Sequence, residues 1–547
     1  MPDLILFNAN VLTMDPLYPK AKGVLIKNGK ILSATKNDAL KKWDRMKATT
    51  IDCKGKTILP GFIDTHLHLH ALAESHVTLN LEPHHNVRSI SDIQAKIKDL
   101  TQKLPSGTWI RGRGYNEFYL EEKRHPNRWD LDQITSIHPI KLTHRTGHAH
   151  VLNSLALKRV GISNETPDPP DGLIDRDIKT GQPTGLLYRM GDFLSRKIPP
   201  LENDQLDQGI KIANDELLSM GITSIQDASS HNGIEQWKMF RHWKDTGFLK
   251  PRAVMMLGVD PVRNLIGVLN PSSTIIKPNC AAAHWSTISN GANPFSAYRE
   301  QDFETRLDKS RLRLGGVKII LDQTTGHLHP VQSELNEMVL KIHQAGFQAC
   351  LHAVEEKTVE AACSAIEYAL RKFPKPDHRH RIEHCSVCPP SLARKLAGLG
   401  IMVVTQPSFI YYSGDRYLRT VPAEELKHLY PIGTLLKSGV KVAASSDSPI
   451  APGNPLMGVY AATSRVTEKG ETVLPEEKIT PEEAIRMYGE NAARATFDEG
   501  TKGSISPGKL ADLLVVNGDP TKVPINEIRD IKVEMTILNG EIVWEKS

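Results

Sequence analysis

The sequence predicts an α/β chain: a closed (β/α)8 TIM barrel through the middle, with a small β-domain assembled from both ends. Three features carry that reading. Short β-rich runs with tight turns occupy residues 1–59 and return at 500–547, whereas residues 60–499 alternate apolar, strand-length runs with amphipathic helices. Side chains able to bind a metal recur where those apolar runs end. At 547 residues the chain is also too long for one core, because domains usually hold roughly 100–200 residues.

The N-terminal runs are "DLILFNANVLTM", "KGVLIKNGKILSAT" and "TTIDCKGKTILP", with "KNGK" as a tight hairpin turn. "GKLADLLVVNGDP" and "VEMTILNGEIVWEKS" repeat the texture at the other end, so both ends are expected to share one β-domain. Between them "AGFQACLHAVEE" leads to "TVEAACSAIEYALRKF", "HRHRIEHCSV" to "SLARKLAGLG", and then to "IMVVTQPSF". Short buried strands alternating with helices imply a parallel sheet with right-handed crossovers, and over residues 60–499 the form expected is a closed barrel. Around 70–210 the pattern loosens into turn-rich stretches such as "HPNRWDLDQI" and "ETPDPPDGLIDRDIKTGQPTG", which read as an insertion.

Composition narrows the function. Hydrophobic residues at 39% and charged residues at 24% are ordinary for a globular protein, and no stretch is apolar enough to span a membrane. The start, "MPDLILFNANVLTMD", carries Asp3 and no basic n-region, so it reads as a strand and a cytoplasmic location is expected. The net charge of +5 comes from 68 basic and 63 acidic residues spread along the chain, with no long basic run, which argues against a nucleic-acid partner. Six cysteines, Cys53, Cys280, Cys350, Cys363, Cys385 and Cys388, make no disulfide framework. Cys385 and Cys388 have zinc-ribbon spacing, but with no second pair they read as packing beside a buried strand.

The chemistry starts at "DTHLHLH". Residues two apart on a strand share a face, so Asp64, His66 and His68 point one way, and at the carboxyl end of a barrel strand that way leads to the catalytic mouth. His70 falls in the following loop. Two neutral imidazoles so placed suit zinc, manganese or iron; they also read as satisfied polar groups at a barrel rim. Later strand ends supply partners. Lys318 stands in "GGVKIILD", where an unpaired ammonium would be costly; His352 ends "FQACLH", His384 ends "HRIEH", and Asp447 ends "GVKVAASSD" before Pro449. Packing alone does not produce that order.

Taken with "LPGFIDTHLHL", "GHAHVLNSLAL", "GITSIQDA", "HRIEHC", "ASSDSP" and "GSISPGKLADLLVV", the chain resembles the amidohydrolase superfamily over nearly its whole length. The branch it resembles contains D-aminoacylases and N-substituted formamide deformylases. The resemblance implies a metal-bearing barrel beside a β-sandwich built from both ends, and a hydrolase acting on carbon-nitrogen bonds other than peptide bonds. An amide, N-acyl or N-formyl group of a small molecule would be cleaved by a metal-activated hydroxide. His66 and His68 would then hold one divalent metal, zinc foremost, and His352 and His384 a second. Lys318 would bridge them as a carbamate (a carboxylated lysine), and Asp447 would bind the first metal and move the proton. His148 in "TGHAHVLNS" matches a family position near the substrate and is nominated to stabilise the oxyanion; the same segment also reads as a polar loop whose Asn153 caps a helix. The resemblance further allows a homodimer.

Two segments depart from the branch. "HAVEE" puts Glu355 three residues after His352, a spacing that resembles the superfamily's mononuclear deaminases, so the alternative function is an aminohydrolase that deaminates a heterocycle with Glu355 as acid. Glu355 also suits the first turn of the next helix, where a carboxylate favours the macrodipole. "LDQTTGHLHP" brings His327 and His329 near the mouth, and "QPSFIYYSGDRY" adds polar and aromatic groups. A metal-free scaffold on a reused catalytic fold is the rival from another class, and the intact set of ligand-type residues argues against it.

Overall fold

A computed structural model describes residues 2–36, 48–169, 172–261, 311–323 and 326–546. Cys280 lies outside the described residues. The chain divides into two compact units, one of residues 1–68 and 214–547 and the other of residues 69–213.

At the heart of the first unit is an eight-stranded parallel sheet whose strands follow chain order. They are β1 (Phe62–Leu67), β2 (Ile222–Asp227), β3 (Arg252–Gly258), β4 (Leu312–Ile320), β5 (Ala349–Ala353), β6 (Arg381–His384), β7 (Met402–Thr405) and β8 (Val442–Ala444). β1, β2, β6, β7 and β8 are buried along their whole length, the signature of parallel strands covered on both faces. Side-chain and loop contacts bridge the seam between β1 and β8: Thr65 Oγ1 donates to the Ala444 carbonyl at 3.0 Å, and the Asp447 N–H to the His66 carbonyl at 2.8 Å. The sheet is thus the nearly closed (β/α)8 barrel that the alternating pattern predicts. Helix Glu356–Lys372 shows the sequence logic of its outer layer, burying Val359, Ala362, Cys363, Ile366 and Ala369 at three- and four-residue spacing. Within β4, a Cβ on Gly316 would stand 2.7 Å from both Cys350 Sγ and the Gln348 carbonyl. Only glycine lets β4 lie this close to β5, and the resulting register sets Lys318 opposite Cys350.

Both ends of the chain meet in a β-sandwich. A four-stranded sheet (Lys30–Thr35, Gly23–Lys27, Leu4–Phe7, Thr49–Asp52) faces a six-stranded one in which C-terminal Leu513–Val516 pairs antiparallel with Thr57–Pro60. Leu4, Leu6, Val24 and Ile26 from the first sheet and Ile58, Leu513, Val515 and Ile537 from the second form one core. The "KNGK" hairpin turns through Asn28 and Gly29 at φ 49° and 72°, the left-handed pair that a two-residue turn requires.

The second unit carries its own six-stranded sheet, ordered Leu173–Arg176, Pro183–Tyr188, Ala149–Leu152, Ile140–His144, Ile110–Tyr115 and Leu79–Asn80. Reciprocal capping boxes at Ser89/Asp92 and Asn127/Asp130 start its helices Ile90–Thr101 and Arg128–Asp132. Among the described residues of the chain, no helix is long and apolar enough to cross a membrane.

Three histidines below β5 and β6 tie helix Gln332–Gln344 to the barrel. His343 Nε2–H donates to the Phe373 carbonyl at 2.7 Å, His380 lies 2.8 Å from His343 Nδ1, and His380 Nδ1 accepts from the Ala349 N–H at 2.9 Å. His378 takes the His380 N–H at 2.8 Å and donates to the Leu399 carbonyl at 2.8 Å. Every ring is neutral in this chain of bonds, and burial holds all three below the usual imidazole range. The unfolded chain therefore takes up protons first as pH falls. Stability is complete above about 6.5 and is lost below it, at up to about 1.4 kcal/mol per pH unit for the fully buried His380. Metal-stripped protein is expected to melt at a lower temperature at pH 5 than at pH 7, with the His380 ring still neutral by NMR. A Tm unchanged across that range would contradict it.

Candidate metal centre and active site

β1 brings His66 to the centre with its side chain 1% exposed. Its Nδ1 lies 2.5 Å from Glu383 Oε2 on β6, and the other Glu383 oxygen accepts from Arg381 Nε at 2.6 Å. Arg381 reaches back to β1 and donates to the Thr65 carbonyl at 3.1 Å. This buried arginine–glutamate–histidine chain fixes the ring with Nδ1–H donating, so the Nε2 lone pair faces inward. There it stands 3.4 Å from Lys318 Nζ and 3.5 Å from Asp447 Oδ1. His68 follows with Nδ1 3.0 Å from Ser229 Oγ and Nε2 3.0 Å from the same Asp447 oxygen. His384 is held by Gln406, whose Oε1 lies 2.8 Å from its Nδ1 and whose amide donates to Ser445 Oγ at 3.0 Å. The ring of His352 lies 4.5 Å from that of His384, which in turn is 4.9 Å from His66.

Ligand atoms of His66, His384 and Asp447 all fall within 4.8 Å of one another. Asp447 Oδ1 is buried with no hydrogen bond, although His68 Nε2 is only 3.0 Å away. A carboxylate oxygen stripped of water, with the His66 lone pair facing it and only a poorly aligned contact to His68, is incompletely satisfied as it stands, and a cation there would satisfy it. The donor set of imidazoles and a carboxylate suits a borderline divalent metal. His384 and Asp447 reach these positions at φ 72° and 59°, a conformation unusual for residues with a Cβ and concentrated at functional sites. Asp64 steadies the second of these turns by accepting from the Ser446 N–H at 3.1 Å and from its hydroxyl at 2.5 Å.

The electrostatics agree with that reading. Burial, reinforced by the nearby Lys318 charge, drives His66 well below the usual imidazole range, and burial lowers His384 as well, so both are neutral bases. Burial also lowers Lys318 against the pull of Glu383 and Asp447. Burial alone would raise the Asp447 carboxyl, but its contact with His68 holds it low.

The structure therefore gathers His66, His68, Lys318, His352, His384 and Asp447 at the carboxyl ends of β1, β4, β5, β6 and β8. Glu355, three residues after His352, is not buried with them. Glu355 is exposed at the N-cap of helix Glu356–Lys372, where Thr358 Oγ1 donates to its carboxylate at 3.3 Å. Glu355→Gln is expected to change stability by less than about 0.5 kcal/mol and to leave kcat/KM close to wild type; a large loss of turnover would restore the deaminase-like reading. His327 and His329 are exposed too. His148 belongs to the other unit and is exposed between strands Ile140–His144 and Ala149–Leu152, while Asn153 caps helix Ser154–Val160 through the Ala156 N–H at 3.0 Å. Cys385 and Cys388 are free, buried thiols that hydrogen-bond with each other.

Sequence reasoning missed Glu383, Arg381 and Gln406. The signal was present: two charges in the buried run "RIEH" pose the same problem as Lys318, because neither can stay unpaired there.

A barrel with this cluster at the carboxyl ends of its strands defines a hydrolase with a candidate metal centre. The model of the amidohydrolase family matches residues 49–544, and the chain belongs to that family of carbon-nitrogen hydrolases. It is 27% identical to an N-substituted formamide deformylase of Arthrobacter pascens, over 100% of this chain and 99% of the relative. It is 26% identical to the protein LONG AFTER FAR-RED 3 of Arabidopsis thaliana, over 94% and 87%. Among solved structures, a metal-dependent hydrolase from Pyrococcus furiosus superposes with a TM-score of 0.68 at 25% identity, covering 95% of this chain and 100% of that one. A second, from Pyrococcus horikoshii, gives 0.71 at 22% identity, covering 96% and 99%.

Proposed function

We propose that this chain hydrolyses an amide, N-acyl or N-formyl bond of a small molecule at a centre with divalent metal, zinc foremost. His66, His68 and Asp447 would hold one ion and His352 and His384 a second, with Lys318 between them as a carbamate. The observation that carries the reading is Asp447 Oδ1, buried and without a hydrogen bond between His66 and His68. When bound, the metal supplies Lewis acidity, polarising a carbonyl and lowering the pKa of water. The remaining work falls to the protein. Asp447, ionised and held by its backbone bond to His66, takes a proton at its carboxylate and returns it to the leaving nitrogen. Glu383 and Gln406 keep His66 and His384 turned inward. Lys318, its ammonium disfavoured by burial, would on losing that proton add carbon dioxide at Nζ with release of a second proton, leaving a carboxylate in place of the buried cation. The full-length similarity to a formamide deformylase supports the substrate class.

The test is metal per chain on protein purified without added metal, for wild type and Lys318→Ala, with turnover on a panel of N-formyl amines, N-acyl amines and amino-heterocycles. Metal in the wild type that falls in the variant, with carboxylate and amine released from the amides, is expected. Ammonia from the heterocycles alone, or no metal in either protein, would overturn the proposal.

A further inference from the structure

Three imidazoles at the barrel centre are held from behind by different chemistry. Glu383 behind His66 is a carboxylate and only accepts, and Gln406 turns its carbonyl oxygen to His384. Both rings are therefore fixed with Nδ1–H outward and the Nε2 lone pair inward. Behind His68 stands a hydroxyl, Ser229 Oγ, 3.0 Å from Nδ1. A hydroxyl can donate or accept, so of these three supports it leaves the tautomer of its histidine open.

Ser229 is itself set in place by the end of β2. Asp227, buried and opposite Leu67 on β1, accepts at Oδ1 from the Ser229 N–H at 2.9 Å and from Asn232 Nδ2 at 2.5 Å. Asn232, also buried, donates to the Met256 carbonyl at 3.0 Å and accepts the Gly258 N–H at 3.0 Å, which ties the turn to β3. The Ala228 N–H donates to the Leu67 carbonyl at 2.9 Å and ties it to β1 just before His68. A Cβ on Gly258 would stand 2.2 Å from the Ser230 carbonyl, so only glycine lets β3 end against this turn. Residues 227–232 form a bracket fastened to both neighbouring strands, with the Ser229 hydroxyl against the ring.

On the far side of that ring, His68 Nε2 lies 3.0 Å from Asp447 Oδ1. If Nδ1 carries the proton, two lone pairs face each other across that gap, and a cation between them relieves the repulsion. If Nε2 carries it, the ring presents an N–H to the carboxylate and the Ser229 hydroxyl donates to Nδ1. His68 is also the ring open to solvent, with its side chain 28% exposed against 1% for His66.

We propose that Ser229, held by Asp227 and Asn232, is a positioning residue that lets His68 change tautomer when the centre takes up metal. In the metal-free protein the hydroxyl donates to Nδ1; once Nε2 serves as a ligand, the hydroxyl turns and accepts from Nδ1–H. Nε2 gives a proton to water as Nδ1 takes one from water, so the ring stays neutral. This role rests on the reading of His66, His68 and Asp447 as metal ligands.

The experiment follows the imidazole nitrogens of full-length, metal-stripped wild type by NMR as zinc chloride is added, and measures zinc affinity for wild type and Ser229→Ala. An Nε2-protonated His68 before zinc and an Nδ1-protonated one after it are expected. Ser229→Ala is expected to bind zinc about 10- to 100-fold more weakly. Wild type alone reports the tautomers, so a variant that folds badly does not obscure the result. A His68 ring that keeps one tautomer throughout, or a Ser229→Ala protein with wild-type zinc affinity, would overturn the role of Ser229 and leave the metal centre standing. Wild type that takes up no zinc would overturn both.

Discussion

Asp447→Asn is expected to lower kcat/KM by about 10³- to 10⁴-fold with little loss of Tm, the size of effect that follows loss of a positioned proton-transfer group. The carboxylate meets both requirements of a general base. Its carboxyl is held low, because contact with His68 outweighs the cost of burying it, and it is rigid, because its N–H is bonded to the His66 carbonyl and Asp64 secures Ser446 beside it. Asparagine keeps the shape but has no basic oxygen. The amide substitution removes a buried anion rather than stranding one, so the fold is expected to tolerate it. The measurement is kcat/KM on the best amide substrate together with a thermal melt and metal content. Activity within tenfold of wild type at normal metal content would remove Asp447 from proton transfer.

Glu383→Ala is expected to cost about 3–5 kcal/mol of stability, because it leaves the guanidinium of Arg381 in a fully buried position without its carboxylate. The same change deprives His66 Nδ1 of its acceptor, so the ring is no longer fixed with Nε2 toward the centre. Glu383→Gln separates the two effects. It preserves volume and one acceptor oxygen, so the fold is expected to survive, while the loss of charge behind His66 weakens metal binding by about 10- to 100-fold. Urea unfolding and metal titration of both variants check the pair. A Glu383→Gln protein that binds metal like wild type would reduce Glu383 to a packing partner of Arg381.

The two cases differ in how far the sequence revealed them. Asp447 was legible because it ends an apolar strand, as do His66, His352 and His384, and carboxyl strand ends of a barrel converge wherever the chain places them. Lys318 was legible because a charge in "GGVKIILD" is costly unless something uses it. Glu383 carries the same cost, but its partner His66 is 317 residues away and belongs to another strand. No spacing rule links β6 to β1; only closure of the sheet does. Glu355 went the other way. Its position three residues after His352 fits a catalytic acid, yet whether a carboxylate there is desolvated depends on how the following helix meets solvent, and it is exposed.

Local chemistry, written residue by residue, decided the strand–helix alternation, the two-ended β-domain and the set of side chains available to a metal. These depend on periodicity and on the cost of burying charge, which neighbours in sequence already express. Tertiary structure alone decided which lone pairs face one another. The support of His66 by Glu383 and the contact of His68 with Asp447 depend on distances between segments far apart in the chain. Hydrogen-bond direction and ligand convergence act over a few ångströms in space, and separation along the sequence does not encode them.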